Sequence, residues 1–161
     1  MHELVVTRAG FERLSGELER LKVAGRRAMA DRLRQAASSE ANRVESAEYI
    51  ETRDAQAQLE RRIALLEGAL RSARVVEPRL GNGRVDVGER VRVRDLSSKR
   101  RLEVELVGQA EADLAAGRVS VASPLGGALV GLREGEIAYV EAPRGRLRYK
   151  VLAVELPAPG V

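Results

Sequence analysis

The side chains of this 161-residue chain that can do chemistry are nearly all carboxylates and guanidiniums. Cysteine is absent, and the one histidine is His2, beside the chain start. Those two facts exclude a thiol nucleophile, a disulfide framework and a cysteine-based zinc site, and they leave no histidine for a triad or a metal cluster. What remains is charge. Glu40, Glu45, Glu48 and Glu51 form an acidic patch with Asn42 and Arg43 inside it. A basic cluster precedes it, comprising Arg26, Arg27, Arg32 and Arg34. On a helix Arg26 and Arg34, eight residues apart, are roughly in phase, and the other two scatter around it. An ordinary solvated face with Glu partners one turn away accounts for the cluster equally well.

The elements that carry these groups follow from a change of character near residue 78. All five prolines lie at or after Pro78, and eleven of the fifteen glycines follow it. Helices exclude proline and tolerate glycine poorly, so the first half reads as helical. Thr7 is a good N-cap for the first helix. Phe11, Leu14, Leu18, Leu21, Gly25 and Ala28 step by three and four, a heptad seam. A second seam runs Thr52, Gln56, Leu59, Ile63, Leu66, Leu70 and Ala73. The polar stretch Ala37–Arg43 separates them. The economical solution is an antiparallel two-helix hairpin over residues 1–77, with its tip near 38–45. Each helix would have about 28–30 residues and span roughly 42–45 Å. The seams are apolar mainly near the base, so packing holds the tip end weakly. A dimerising coiled coil is the plainest alternative reading of this half.

Residues 78–84, rich in glycine, read as a linker. Beyond them Val85, Val87, Val91 and Val93, then Leu102, Val104 and Leu106, then Val119 and Val121, then Leu147, Tyr149 and Val151 alternate with polar residues. That is the period of half-buried antiparallel strands. Pro143-Arg144-Gly145 reads as a turn joining the last two strands, Ile137–Val140 and Leu147–Val154. Ser123 as cap and Pro124 at the first helical position start one short helix. Residues 85–156 thus form a compact domain and 157–161 a tail. The fold class is α+β.

Composition narrows the partners. Lys and Arg total 28 against 24 Asp and Glu, a net charge of +4, with the signs interspersed. The only aromatics are Phe11, Tyr49, Tyr139 and Tyr149. Single-strand binders stack bases on aromatic rings, so the sequence argues against direct, autonomous nucleic-acid binding and gives no sign of sequence-specific DNA recognition. No apolar run approaches the length of a membrane span, and the first ten residues lack the pattern of a secretory signal. A cytoplasmic monomer is expected.

The order and spacing of several segments resemble the bacterial Gre-type transcript cleavage factors. Thr7-x-x-Gly10 followed by Leu14, Glu17-Leu18 and Leu21 is similar to that family's opening, and Glu45-Ser46-Ala47-Glu48-Tyr49 to its segment just past the hairpin tip. Gln58, Glu60, Arg62, Ile63, Leu66 and Glu67 continue the likeness. In the second half it rests on Gly108, Glu111-Ala112-Asp113, Gly117, Val119-Ser120, Ser123-Pro124, Ala128-Leu129, Gly131 and Gly135-Glu136. The resemblance implies an FKBP-like second domain that docks at the rim of the RNA polymerase secondary channel. It implies a coiled coil that reaches the active centre, where two tip acids help hold a second Mg²⁺ while the polymerase cuts backtracked RNA. No cofactor of the chain's own is implied, only the polymerase's Mg²⁺. Contact with DNA is indirect, through the polymerase, and the nascent RNA 3′ end is a further implied neighbour. The basic cluster, with Arg26 and Arg34 in phase, takes the place of the family's RNA-contacting patch. Ser123, Pro124, Leu125, Ala128, Leu129 and Gly131 mark the docking region.

The tip departs from the family pattern. Aligned without a gap, the two catalytic acids fall on Asn42 and Glu45, and Arg43 replaces a leucine. An amide offers Mg²⁺ an oxygen but no charge. One charge interaction at about 4 Å is worth about 4 kcal/mol at an effective dielectric near 20. Doubled for a divalent ion and discounted for solvent, the loss is several kcal/mol, orders of magnitude in rate at about 1.4 kcal/mol per decade. The expectation is a channel-binding regulator that does not stimulate cleavage and inhibits or tunes synthesis, with at most a weak Mg²⁺ contact at Glu45. The alternatives are a true cleavage factor using Glu45 with Glu40 or Asn42, and a polymerase-independent coiled-coil adaptor. A prolyl isomerase is disfavoured, because Tyr139 and Tyr149 cannot line the aromatic pocket that it needs.

Overall fold

The computed structural model describes residues 4–38, 46–79 and 82–157. The chain divides into two compact units, one taking residues 12–72 and the other residues 1–11 with 73–161.

The first unit is helical. Helix α1 (Arg8–Arg20) runs through a π-helical turn (Leu21–Gly25) into α2 (Arg26–Ser38), and α3 (Ala47–Arg71) returns. The helices are antiparallel: Lys22 reaches Glu67 at 2.5 Å, and Arg26 reaches Glu60 at 2.8 Å. Leu14, Ile63 and Leu66 are buried, as the seams predict. The first seam does not continue to Ala28, which is exposed while Met29 is half-buried. The physical reason is the π turn: it takes up an extra residue and advances the buried face by one position. Gly25 lies in that turn. A Cβ there would come within 3.2 Å of Leu59 Cδ1, so the glycine admits the opposite helix. Towards the tip, among the described residues, only the small or polar Ala36 and Thr52 are buried.

The second unit is built on a five-stranded sheet of β3 (Arg90–Asp95), β4 (Arg101–Val107), β5 (Arg118–Ser120), β6 (Ile137–Ala142) and β7 (Gly145–Glu155), in the order β5-β4-β3-β7-β6. Four strands pair antiparallel, as their alternation predicts, and β5 joins β4 in parallel. A bulge between Arg92 and Val93 shifts the β3–β7 register. Helix α4 (Pro124–Leu129) covers one face, where Val91, Val93, Leu106, Leu129 and Val151 are fully buried. The other face carries the charged side chains of the same strands.

This unit also takes the chain's first strand, β1 (Leu4–Thr7), paired in parallel with β2 (Ala73–Val76). The boundary near residue 78 is therefore too late, and the coiled coil does not begin at residue 1. Residues 4–11 and 73–77 pack into the sheet unit, held by backbone pairing and by the buried carboxylate of Glu111, which bonds to Thr7. Pro78 packs within it too, close to Gly88. The expected tail lies outside the described residues beyond position 157.

Candidate functional site

The tip candidates Asn42, Glu45 and Glu40, together with Arg43, lie outside the described residues. The flanks are described. Ser46 caps α3 by accepting from the Tyr49 N–H at 3.2 Å, and Glu48 sits in the first turn, where the helix dipole favours an acid. Thr52, buried, donates to the Glu48 carbonyl at 2.8 Å. These bonds give α3 a defined start immediately after the acidic stretch. As a donor set for Mg²⁺, Glu45 with Asn42 supplies one carboxylate and one amide beside an arginine.

The basic cluster has intramolecular partners. Arg26 forks onto Glu60, its Nε at 2.9 Å and its Nη2 at 2.8 Å. This hydrogen bonding holds the Glu60 carboxyl below its ordinary range. Arg34 pairs with Asp31 one turn back. Among the described residues, Arg27 and Arg32 have no carboxylate partner. The two in-phase residues singled out as RNA contacts are thus the two already engaged. The Lys22–Glu67 bond and an Arg62–Glu17 bond of 2.8 Å extend this surface ladder, which lies too far in solvent to contribute much stability.

In the sheet unit the segment from Ser120 to Gly131 is fixed locally. Ser123 Oγ accepts from the Gly126 N–H at 3.1 Å and donates to the Ser120 carbonyl at 2.6 Å. A Cβ on Gly126 would lie 2.0 Å from the Ser120 carbonyl oxygen, so only glycine lets helix and strand approach this closely. Leu129 is fully buried and cannot meet a partner, which corrects its place among the docking residues: its neighbours are the core itself. Gly131, half-buried, is tied to residues 84 and 85, its N–H donating to the Val85 carbonyl and its carbonyl accepting from Arg84. Ser123, Leu125 and Ala128 are half-buried. The exposed members of the segment are Ala122, Pro124, Gly127 and Val130. The exposed side chains, Ala122, Pro124 and Val130, are all apolar. No aromatic residue lines an apolar cleft of the unit formed by Thr7, Ala9, Val76, Pro78 and Leu156 among others.

One residue whose role the sequence hid is Glu111. It is buried, and its carboxylate accepts from the Thr7 N–H and the Thr7 hydroxyl, both at 2.6 Å, and from the Gly108 N–H at 3.2 Å. Thr7 Oγ1 in turn accepts from the Gly10 N–H at 2.9 Å, capping α1. The sequence signal was the pairing of Thr7-x-x-Gly10 with Glu111, but nothing in the sequence joins positions so far apart.

Comparison with known proteins supplies the family. The model for the transcription elongation factor N-terminal domain matches residues 4–75, and that for the GreA/GreB elongation factor C-terminal domain matches residues 80–156. The "Transcription elongation factor GreA" of Syntrophomonas wolfei is 36% identical over 154 residues, covering 95% of this chain and 96% of that protein. Its counterpart in Clostridium acetobutylicum is 38% identical over 152 residues, covering 94% and 96%. Among solved structures, the GreA factor homolog 1 (Gfh1) protein of Thermus thermophilus is 31% identical, covering 96% of this chain and 99% of that one, with a TM-score of 0.43. The chain belongs to the GreA/GreB family of transcription elongation factors. Among the described residues, no helix is long and apolar enough to cross a membrane.

Proposed function

We propose that the chain is an accessory factor that binds RNA polymerase at the secondary channel and regulates synthesis without stimulating transcript cleavage. The observation that carries this reading is Asn42 where the family pattern places a catalytic acid, next to Arg43. The chain's own residues then do two things. The sheet unit docks through the exposed edge of the Ser123–Gly131 segment, with Pro124 and Val130 as its apolar contacts. The tip brings Glu45 and its neighbouring acids into the channel, where their charge and bulk obstruct nucleotide or metal approach. Any Mg²⁺ engaged belongs to the polymerase and would supply the hydrolytic chemistry there. The factor needs no cofactor of its own and acts as a monomer in the cytoplasm.

One observation favours a second reading. The curated relatives at 36–38% identity carry the name of the elongation factor GreA, and Glu45 and Glu40 remain available as acids. In that reading Glu45 acts with Glu40 or Asn42 in cleavage.

A polymerase halted in a backtracked complex with 5′-labelled RNA separates the two. With Mg²⁺ and the protein added, unchanged transcript length together with slowed extension is the expected result. Rapid shortening overturns the proposal in favour of the second reading. Failure of core polymerase to retain the protein in a pull-down overturns both and leaves a coiled-coil adaptor.

A further inference from the structure

The solvent face of the five-stranded sheet is divided by charge. At one end, carboxylates and cations match: Arg90 pairs with Glu103, Arg92 with Glu155, and Arg118 with Asp113. At the other end the same strands present cations only. Arg94 on β3 is directly opposite Arg101 on β4 on one side and Lys150 on β7 on the other. All three are exposed, and among the described residues none has a carboxylate partner. Two residues along β7, on the same face, Arg148 is also exposed and without a carboxylate partner, and it is directly opposite Tyr139 on β6. The turn joining β3 to β4 at this end adds Lys99, held at a positive φ of 62°. Nearby acids are engaged elsewhere: Asp95 accepts from Ser97 and Ser98 within that turn, and Glu141 pairs with Arg146.

Like charges directly opposite on adjacent strands destabilise a sheet. Strands lie about 4.8 Å apart, so Arg101, Arg94 and Lys150 put three cations on a line of roughly 10 Å. The matched end of the same face shows that the fold accommodates alternation of sign, so the unmatched row is a feature of these three residues and not of the sheet. An anionic ligand would neutralise it. Tyr139 indicates which anion. Tyr139 is 57% exposed, and Arg148 is directly opposite it on β7. A ring for stacking beside a line of cations is the arrangement that single-stranded nucleic acid requires. Scarcity of aromatics in the sequence argues against such binding, but the fold puts one of the four beside this cationic row.

We propose that this end of the sheet face is a binding surface for single-stranded nucleic acid, with Arg94, Arg101 and Lys150 on backbone phosphates and Tyr139 under a base. It is separate from the coiled-coil cluster and from the Ser123–Gly131 segment, and it does not depend on polymerase binding.

The test is fluorescence anisotropy of the purified full chain with a labelled oligouridylate, repeated over a range of salt concentrations. Three phosphate contacts predict a log–log salt slope of about −2 at about −0.7 per phosphate. Arg94→Ala with Lys150→Ala should weaken binding at least about tenfold and flatten the slope by about 1.4. Tyr139→Ala should cost about fivefold or more, and Tyr139→Phe should bind as the parent does. Arg27→Ala with Arg32→Ala should leave binding intact. Lys150→Glu should abolish binding and yet melt at a higher temperature than the parent, because it relieves the like-charge row. The proposal is overturned by absence of binding, by loss of binding only in the Arg27/Arg32 variant, or by a lower melting temperature for Lys150→Glu. It is also overturned if a labelled oligoglutamate binds as tightly and is indifferent to Tyr139→Ala, which would make the face a dock for an acidic protein.

Discussion

The carboxylate of Glu111 receives both the backbone N–H and the hydroxyl of Thr7, 104 residues earlier in the chain. Thr7 is thereby a helix cap whose own hydroxyl is oriented by a distant acid. Removing a hydrogen-bonded carboxylate leaves the buried Thr7 N–H without a partner, which costs about 1–3 kcal/mol beyond the bond itself. Glu111→Ala should lower unfolding free energy by about 3 kcal/mol. Glu111→Gln, which keeps an acceptor, should lose about half of that. Urea denaturation midpoints check both.

Gly10 is coupled to the same acid. A Cβ at Gly10 would lie 1.7 Å from Glu111 Oε2, so Gly10→Ala must expel the carboxylate from its bonds. The substitution should destabilise the parent by about 2–3 kcal/mol. In a Glu111→Ala background the collision is gone, and alanine's helix propensity should make the same change neutral or favourable by up to about 1 kcal/mol. A double-mutant cycle reads the difference.

Glu89 predicts a dependence on pH. It is buried, and burial pushes its carboxyl above the ordinary value, opposed by the Asp86 N–H that it accepts at 2.9 Å. The folded chain therefore keeps a proton that the unfolded chain releases sooner. Stability from this group is full below the ordinary carboxylate pKa and falls as pH rises through the elevated one. Glu89→Gln retains an oxygen for Asp86 and removes the titration. Its stability relative to the parent should increase as pH rises through that window, measured by denaturation at a series of pH values rising from below the ordinary carboxylate pKa.

The tip reading makes a gain-of-function prediction. Asn42→Asp with Arg43→Leu restores a second carboxylate and removes the opposing cation. Cleavage of backtracked RNA should rise by at least about tenfold over the parent, the rate equivalent of only about 1.4 kcal/mol of the several at stake. A double variant that stays inactive in the labelled-RNA assay would place the defect in docking.

Within the Ser123–Gly131 segment, core and surface should separate experimentally. Leu129→Ala should cost about 2–5 kcal/mol of stability, as buried leucines do. Val130→Asp, at an exposed position, should leave the melting temperature unchanged and weaken retention by immobilised core polymerase.

Local chemistry was the part of this protein legible in its sequence. Thr7 as a cap, Ser123 with Pro124 at a helix start, the second seam through Thr52, Ile63 and Leu66, and the strand alternation all depend on neighbours a few residues away. The π turn was not legible, because a one-residue change of phase at Leu21–Gly25 leaves the heptad spacing intact up to Gly25 and misplaces only the positions beyond it. The true extent of the sheet unit was hidden for another reason. The grip on β1 depends on Ala73–Val76, Gly108 and Glu111, and no periodicity links those positions. At the candidate sites, residue type indicated the tip acids and the docking segment. Only tertiary contacts showed that Leu129 belongs to the core, that Arg26 and Arg34 are already paired, and that Arg94, Arg101 and Lys150 stand in a row.

The attachment of β1 also imposes a timetable on the ribosome. Strand β1 is made before its partners, since β2 and Glu111 follow roughly 70 and 100 residues later. At about 5–20 residues per second, the nascent β1 waits about 5–20 s for Glu111 to be synthesised. The helical hairpin, whose contacts are nearer in sequence, can assemble within that interval. A strand made before the hairpin is therefore placed after it.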